Sequence, residues 1–299
     1  IENYFGAKYG ITVPNDHFNY ETTHGHELFG IGRISNGNSH IISQGSGMVK
    51  IDNPDDADNG EFLFAGHDNG DISSWTDAEL PFDSLLRIDR EWKVGKSGNI
   101  GSVRIGVDTT RLTYPPPFYD YYILMVDSDG DNDFTTGSIS MIPLDERFGS
   151  FARLSDLTLD EGDVFTFAVG RNITLQSGNW NDPDTWLMGV PEGESNAIIL
   201  PGHEVTLTAD AEIGYISVAT GGVLDIGAYT LSLHGAGINN QGTINTGTGT
   251  VNYAANGAQC IVPLNYYNLR ISGSGTKSLC GDIVVANDLE LLGFPGSLF

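Results

Sequence analysis

The residues of this sequence best placed for chemistry are four aspartates at alternate positions, Asp127, Asp129, Asp131 and Asp133, around Gly130 and Asn132. Carboxylates crowded into one short turn repel each other unless a cation sits among them. Ca²⁺ takes about six to eight oxygen ligands, and alternate acidic side chains around a Gly-containing turn can wrap one. The pattern overlaps the first half of an EF-hand loop and then departs from it. Asn132 stands where that loop has Gly, and Ser138 where it has a bidentate Glu. The simpler alternative is a solvated acidic turn, because Asp, Asn and Gly favour turns on their own account. Ligand type and spacing favour Ca²⁺ at Asp127, Asp129, Asp131 and Asp133, with backbone carbonyls and water completing the shell.

The elements that must hold this turn read as strands, not as the helices that flank an EF-hand. An apolar run, Tyr121 to Val126, feeds straight into Asp127. Short apolar or alternating segments recur at Leu28–Arg33, Glu61–Gly66, Leu85–Val94, Gly101–Val107 and Asp163–Gly170, with loops at Asp55–Gly60 and Pro115–Pro117. Before them, Ile1–Tyr9 reads as a short helix with Ile1, Tyr4, Phe5 and Lys8 on one face and Gly10 placed to end it. Strands at this spacing without intervening helices predict an antiparallel β-sandwich over residues 1–172.

Composition agrees with an all-β chain. There are 39 Gly, and only 18% of residues are charged. The net charge of -25 argues against nucleic acid or an anionic membrane as partner. It suits a soluble exported protein, one living in salt or loaded with divalent cations. No apolar run approaches the roughly 20 residues that span a bilayer, so no membrane insertion is expected. Two cysteines are too few for a disulfide scaffold.

Ile1-Glu2-Asn3-Tyr4-Phe5-Gly6-Ala7-Lys8-Tyr9-Gly10-Ile11-Thr12 resembles the "IESYLALKYGIT" opening of a domain of unknown function found in large secreted and surface proteins of Bacteroidota. Phe29–Arg33 and Phe64–Gly70 follow in the order of that domain. Arg87–Val94 is similar to its "RxxRxWKV" strand, Met125–Asp131 to its "LVDxDGD" turn, and Asp160–Thr166 to its final strand. The resemblance covers nearly all of residues 1–170. It implies a non-enzymatic module of adhesin-like multidomain proteins exported by the type IX system to the extracellular space or cell surface. Its partners would be other domains of a longer parent chain, with surface glycans or the secretion machinery as further candidates.

From Arg171 the texture changes. Gly178-Asn179-Trp180-Asn181-Asp182-Pro183-Asp184-Thr185-Trp186 resembles the "SGNWNDPxTW" opening of bacterial right-handed β-helices, where two tryptophans would cover the first coil. Short apolar units recur at Val205–Leu207, Ile216–Val218, Val223–Ile226, Leu231–Leu233, Gly242–Ile244 and Gly249–Val251. Their loose period, roughly 20 residues, is that of a solenoid coil. Asn268–Lys277 is similar to the "NLxISGSGTKTLSG" repeat of the same surface proteins. The expectation is a right-handed parallel β-helix, or solenoid, over residues 173–299. Cys260 and Cys280 are separated by close to one such period. A disulfide between neighbouring coils is one reading, two buried thiols the other.

The remaining candidates favour structural readings. His24-Gly25-His26 lacks a third metal ligand nearby and reads as a polar turn. His67-Asp68-Asn69 near Trp75 reads as a turn network rather than an acid/base or sugar-binding pair. Arg90 on the face of Trp92, stacking on it or pairing with a carboxylate, is structural. In the solenoid, Asp210, Glu212, Asp225, Asp282 and Arg270 look scattered, too thin for a lyase or hydrolase. Thr243, Thr246, Thr248 and Thr250 fall within one coil and make no ice-binding array. Asn172-Ile173-Thr174 is a sequon, while Asp83-Ser84-Leu85 and Asp108-Thr109-Thr110 resemble O-glycosylated triplets.

The chain starts without initiator methionine or leader, and Asp288–Leu292 reads as one more solenoid strand followed by Gly293–Gly296 with no amphipathic cap. Both features predict a native polypeptide extending beyond these residues. The reading is a non-catalytic structural or adhesive segment of a secreted or surface protein, stabilised by Ca²⁺. The alternative is a carbohydrate-binding module or a polysaccharide-active β-helix enzyme.

Overall fold

In the computed structural model the chain divides into two compact units, 1–170 and 171–299. The structure describes residues 2–9, 12, 14, 16–45, 47–81, 85–117, 119, 121–144 and 146–292. Ile1, Gly10, the Asp83-Ser84 part of one triplet and Gly293–Gly296 lie outside the described residues.

The first unit is a sandwich of two antiparallel sheets. The larger runs in the order Ile139–Pro143, Tyr121–Asp127, Val164–Gly170, Trp92–Ser97, Glu61–His67, His26–Ser35 and Asn38–His40, with Leu85–Arg87 also paired to Val164–Gly170. The smaller runs Glu146–Phe148, Phe151–Leu157, Val103–Asp108, Val49–Asp52 and Ile42–Gly45. Period-two alternation turns Val103, Ile105 and Val107 of one sheet toward Leu124, Val126, Phe165 and Phe167 of the other, and these form one core. Trp92 lies at its centre, with its ring 5.6 Å from those of both Phe165 and Phe167.

The larger sheet is buried on its second face as well. Fully buried Phe18 lies over Gly66 and Gly95, where a Cβ would come within 3.0 and 2.8 Å of its ring. Such close approach requires glycine. The expected strand Leu85–Val94 is two pieces, Leu85–Arg87 and Trp92–Ser97. Between them Ile88 N still reaches Phe167 O, but Asp89 N turns to Asp71 O, so the chain leaves the ladder there. The N-terminal helix spans Glu2–Tyr9.

The second unit is a parallel β-solenoid. Seven strands stack in one sheet, Asn172–Ile173, Asn196–Ile199, Ala211–Val218, Thr230–Asn240, Thr250–Tyr253, Asn265–Ile271 and Val284–Leu291. Gly178–Asn179, Glu204–Thr206, Val223–Asp225 and Thr243–Asn245 form a second sheet. Leu231, Val251, Leu269 and Leu289 stand in register as one rank, so these coils are nearly constant in length and match the period of the apolar units. Asn172–Ile173, placed at the domain border by sequence, is the first rung, paired with Ala197–Ile198. Trp180 and Trp186 are both buried in the solenoid core, 5.3 Å apart edge to face, and Trp186 Nε1 donates to Trp180 O. Among the described residues no helix is long and apolar enough to cross a membrane.

Candidate functional site

The strand Tyr121–Asp127 lies between two others, and its last residue is paired on both sides, to Ile139 and to Val164. Asp127 is therefore fully buried. Its carboxylate is tied to the turn that follows. Oδ1 accepts from the N–H groups of Asp129 and Gly130, both at 3.1 Å, and Oδ2 from Asn132 N at 3.0 Å. Two left-handed residues, Gly130 and Asn132, each with φ 70°, bend the backbone around it. Asn tolerates that conformation better than other side chains. It thus supplies at position 132 the bend that Gly supplies in an EF-hand loop. Lys93 Nζ donates to Gly130 O at 2.7 Å and pins the turn from the next strand but one, Trp92–Ser97.

This folding brings three of the four aspartates together. Carboxylate oxygens of Asp127, Asp129 and Asp131 all lie within 4.8 Å of one another, the one such group among the described residues. Asp129 and Asp131 are exposed, and Asp127 Oδ2 keeps a lone pair directed away from its single backbone bond. Such hard oxygen ligands at one strand end suit a divalent cation.

Asp133 stands apart from that group. Its Oδ1 accepts from Thr135 N and Thr135 Oγ1 at 2.8 and 2.6 Å, and its Oδ2 from Thr136 Oγ1. These bonds, the Thr135 hydroxyl first, hold its carboxyl below the ordinary value. The alternate spacing that aims four side chains at one centre requires the loop to keep curling. Here it breaks into a new turn at Phe134, whose buried ring lies under the Arg87 guanidinium at 5.3 Å.

Beneath the turn is a polar cluster that the sequence did not announce. Asn132 Nδ2 donates to Glu91 Oε2 at 3.1 Å and lies 3.4 Å from His24 Nε2. Glu91 Oε1 accepts from Arg87 Nη1 at 2.9 Å, and Arg87 Nη2 pairs with Glu79 at 2.5 Å. Burial pushes Glu91 up to about 7 against the pull of Arg87, and burial also lowers His24. His24 and Asn132 are 108 residues apart, and no local spacing could have joined them.

The other singled-out residues fall as follows. His24 is buried at the end of the short helix Glu21–His24, not in a solvated turn, while His26 stacks on His67 at 5.8 Å. His67 Nδ1 accepts from Asn69 N, and Asp68 Oδ1 from Gly70 N and Glu91 N, which is a turn network. Arg90 Nε donates to Gly70 O, and Trp92 packs on phenylalanines instead. Asn172 is fully buried, bonded to Gly189 O and Met188 N, so this sequon is closed in the folded chain. Asp108 caps the short turn Thr109–Arg111. Cys260 and Cys280 form a disulfide across adjacent coils with Cα atoms 5.7 Å apart.

In the solenoid, Asp210 and Glu212 do not lie scattered. With Trp180, Asn181 and Glu192 they line a groove of about 600 Å³. Glu212 also lies 3.6 Å from His234. Arg270 is elsewhere, paired with Glu290.

Fold and turn together define a β-sandwich with an acidic strand-end loop, followed by a parallel solenoid. A family model described as "Domain of unknown function (DUF8202)" matches residues 33–163, which include the acidic loop, and in that stretch the chain is similar to this family. No curated protein and no solved structure matches the chain.

Proposed function

We propose that this chain is a non-catalytic structural and adhesive segment of a secreted or cell-surface bacterial protein, stabilised by Ca²⁺ at Asp127, Asp129 and Asp131. The observation that carries the cation is the convergence of those three carboxylates within 4.8 Å at the end of a doubly paired strand. A bound Ca²⁺ offsets their mutual repulsion and locks the turn that joins two neighbouring strands of the larger sheet. The resemblance to Bacteroidota surface modules and the solenoid that follows support the extracellular setting. Chelation tests it. EGTA should lower the melting temperature, by about 2.7 kcal/mol of stability if free Ca²⁺ stood at about a hundred times its dissociation constant. Asp129→Ala should abolish that difference. No effect of chelation on the native chain would refute the reading.

A second reading has its own observation. The groove beside Trp180 gathers Glu192, Asp210 and Glu212, a setting in which a saccharide could be held or cleaved. Turnover of a polysaccharide that disappears in Glu212→Gln would favour it over the structural role.

A further inference from the structure

The outer face of the smaller sheet carries a groove of a different character. It measures about 330 Å³ and is lined by Ser43, Gln44, Lys50, Phe148, Phe151 and Arg153, with Ile42 at its rim. Directly paired residues in antiparallel strands point to the same face. Gln44, Lys50, Gly106, Arg153 and Glu146 therefore form one rank across five strands, and Phe151 and Phe148 stand side by side in the next. Gly106 leaves the floor between the two cations open, and a Cβ there would lie 2.7 Å from Arg153 Cγ.

Three properties of this groove point to one kind of ligand. The first is charge. Acidic residues outnumber basic ones 39 to 14 in the chain, yet this lining holds two cations and no carboxylate. Lys50 shares Asp52 with Arg104, so two cations face one carboxylate. Arg153 meets Glu146 only at 3.6 Å, and its Nε, shielded from water, has no acceptor within the protein. The second property is an aromatic wall open to solvent. Phe148 is 66% exposed, and the Arg153 guanidinium lies 4.6 Å from its ring. An apolar ring of that exposure, set beside Phe151, suits the C–H face of a flat ring. The third is a hydrogen-bonding group opposite. Gln44 is exposed, and its side-chain amide has two N–H groups to donate and a carbonyl to accept.

We propose that this groove binds a short acidic saccharide of the uronic type. Its carboxylates would pair with Lys50 and Arg153, a ring face would lie on Phe148 and Phe151, and its hydroxyls would meet Gln44. The volume suits one or two sugar rings, at the lower end of ligand clefts. The proposal gives the adhesive part of the proposed function a ligand but stands on residues outside the acidic turn, and it needs no bound cation.

The test is calorimetric titration of the whole chain with tri- and tetrasaccharides of galacturonate, their neutral galactose counterparts, and oligoglutamate of matching charge. EGTA is present throughout, so a failure of the calcium reading leaves this result untouched. Binding of the oligouronates that weakens with salt, with neutral sugars and oligoglutamate at least about tenfold weaker, is the expected result. Lys50→Gln and Arg153→Gln should each weaken it about tenfold, and Phe148→Ser comparably. Phe148 is exposed, so its replacement tests the groove without removing core packing, and unchanged thermal melting confirms an intact sandwich. Absence of oligouronate binding, equal binding of oligoglutamate, or concentration-dependent self-association abolished by Phe148→Ser would each overturn the proposal. The last would show that a second copy covers this face.

Discussion

Asn132 Nδ2 donates to Glu91 Oε2 at 3.1 Å, and so ties the exposed acidic turn to a carboxyl that is only 7% exposed. The turn and the interior of the sandwich are one hydrogen-bonded unit, running from Asn132 through Glu91 to Arg87 and Glu79. A loop on a strand end would ordinarily fray with little consequence for the sheet. This one has a buried anchor, and its order reports on the interior beneath it.

Glu91 gives that anchor a pH dependence. Burial raises its folded value to about 7 from an ordinary 4.5. The proton is thus held more tightly in the folded chain. The stability it contributes is full below about 4.5 and is lost as pH rises through about 7. Glu91→Gln has no charge to bury and keeps an acceptor for Arg87. With EGTA present, Glu91→Gln should gain on the native chain between pH 5 and pH 8, by at most roughly 3 kcal/mol. Urea midpoints across that range are the measurement, and a constant difference would contradict the assignment.

Asn132 itself is strained for any residue except glycine or asparagine, with φ at 70°. Asn132→Ala both forces a Cβ into the left-handed region and deletes the amide that Glu91 accepts. It should cost roughly 2 kcal/mol. Asn132→Gly removes only the amide, and should cost about half as much. If the two variants were equally stable, the backbone conformation would not be what asparagine serves here.

Much of this was legible in the sequence, for reasons of period. Strand alternation and the coil period survive in any window, and both appear in the structure, as two antiparallel sheets and a solenoid of near-constant coil length. The acidic turn was legible because its carboxylates are local. What escaped was everything long-range. Asp133 looked equivalent to its neighbours, and only the structure shows its carboxylate outside their group and bonded to Thr135. The Gln44–Lys50–Arg153 rank joins three strands that no spacing rule connects. Glu192 meets Asp210 and Glu212 only because a coil returns over itself.

His67 acts in the opposite sense to Glu91. Burial, helped by the charge of Arg90, pushes its folded value down to about 4 from 6.5. The contribution of the neutral ring is present above about 6.5 and is lost as pH falls toward 4. His67→Asn keeps an acceptor for Asn69 N without a titrating ring. Relative to the native chain, the loss of stability between pH 6.5 and pH 4 should shrink in this variant, at the expense of some packing at every pH. An unchanged acid limb in thermal melts would show that His67 does not titrate in this window.

In the solenoid the bridge between Cys260 and Cys280 fastens a corner that the strand ladder holds weakly. The strands Gln259–Ile261 and Lys277–Leu279 form a two-stranded sheet of their own, with three paired residues on each side. Their contact with the preceding coil runs through Gln259, whose Nε2 donates to the carbonyls of Leu233 and Gly235 and whose Oε1 accepts from Ala255 N. The disulfide closes a loop of one coil, worth about 3 kcal/mol in the chain-entropy account. The double variant Cys260→Ser, Cys280→Ser should therefore lose about that much in urea unfolding. Its earliest change should be faster amide exchange at Cys280 N, which donates to Ile261 O at 3.0 Å. The rank Leu231, Val251 and Leu269 is buried in the stacked sheet and should stay protected until global unfolding. Exchange that accelerates equally at Val251 and Cys280 would mean that the bridge supports the whole solenoid and not its corner.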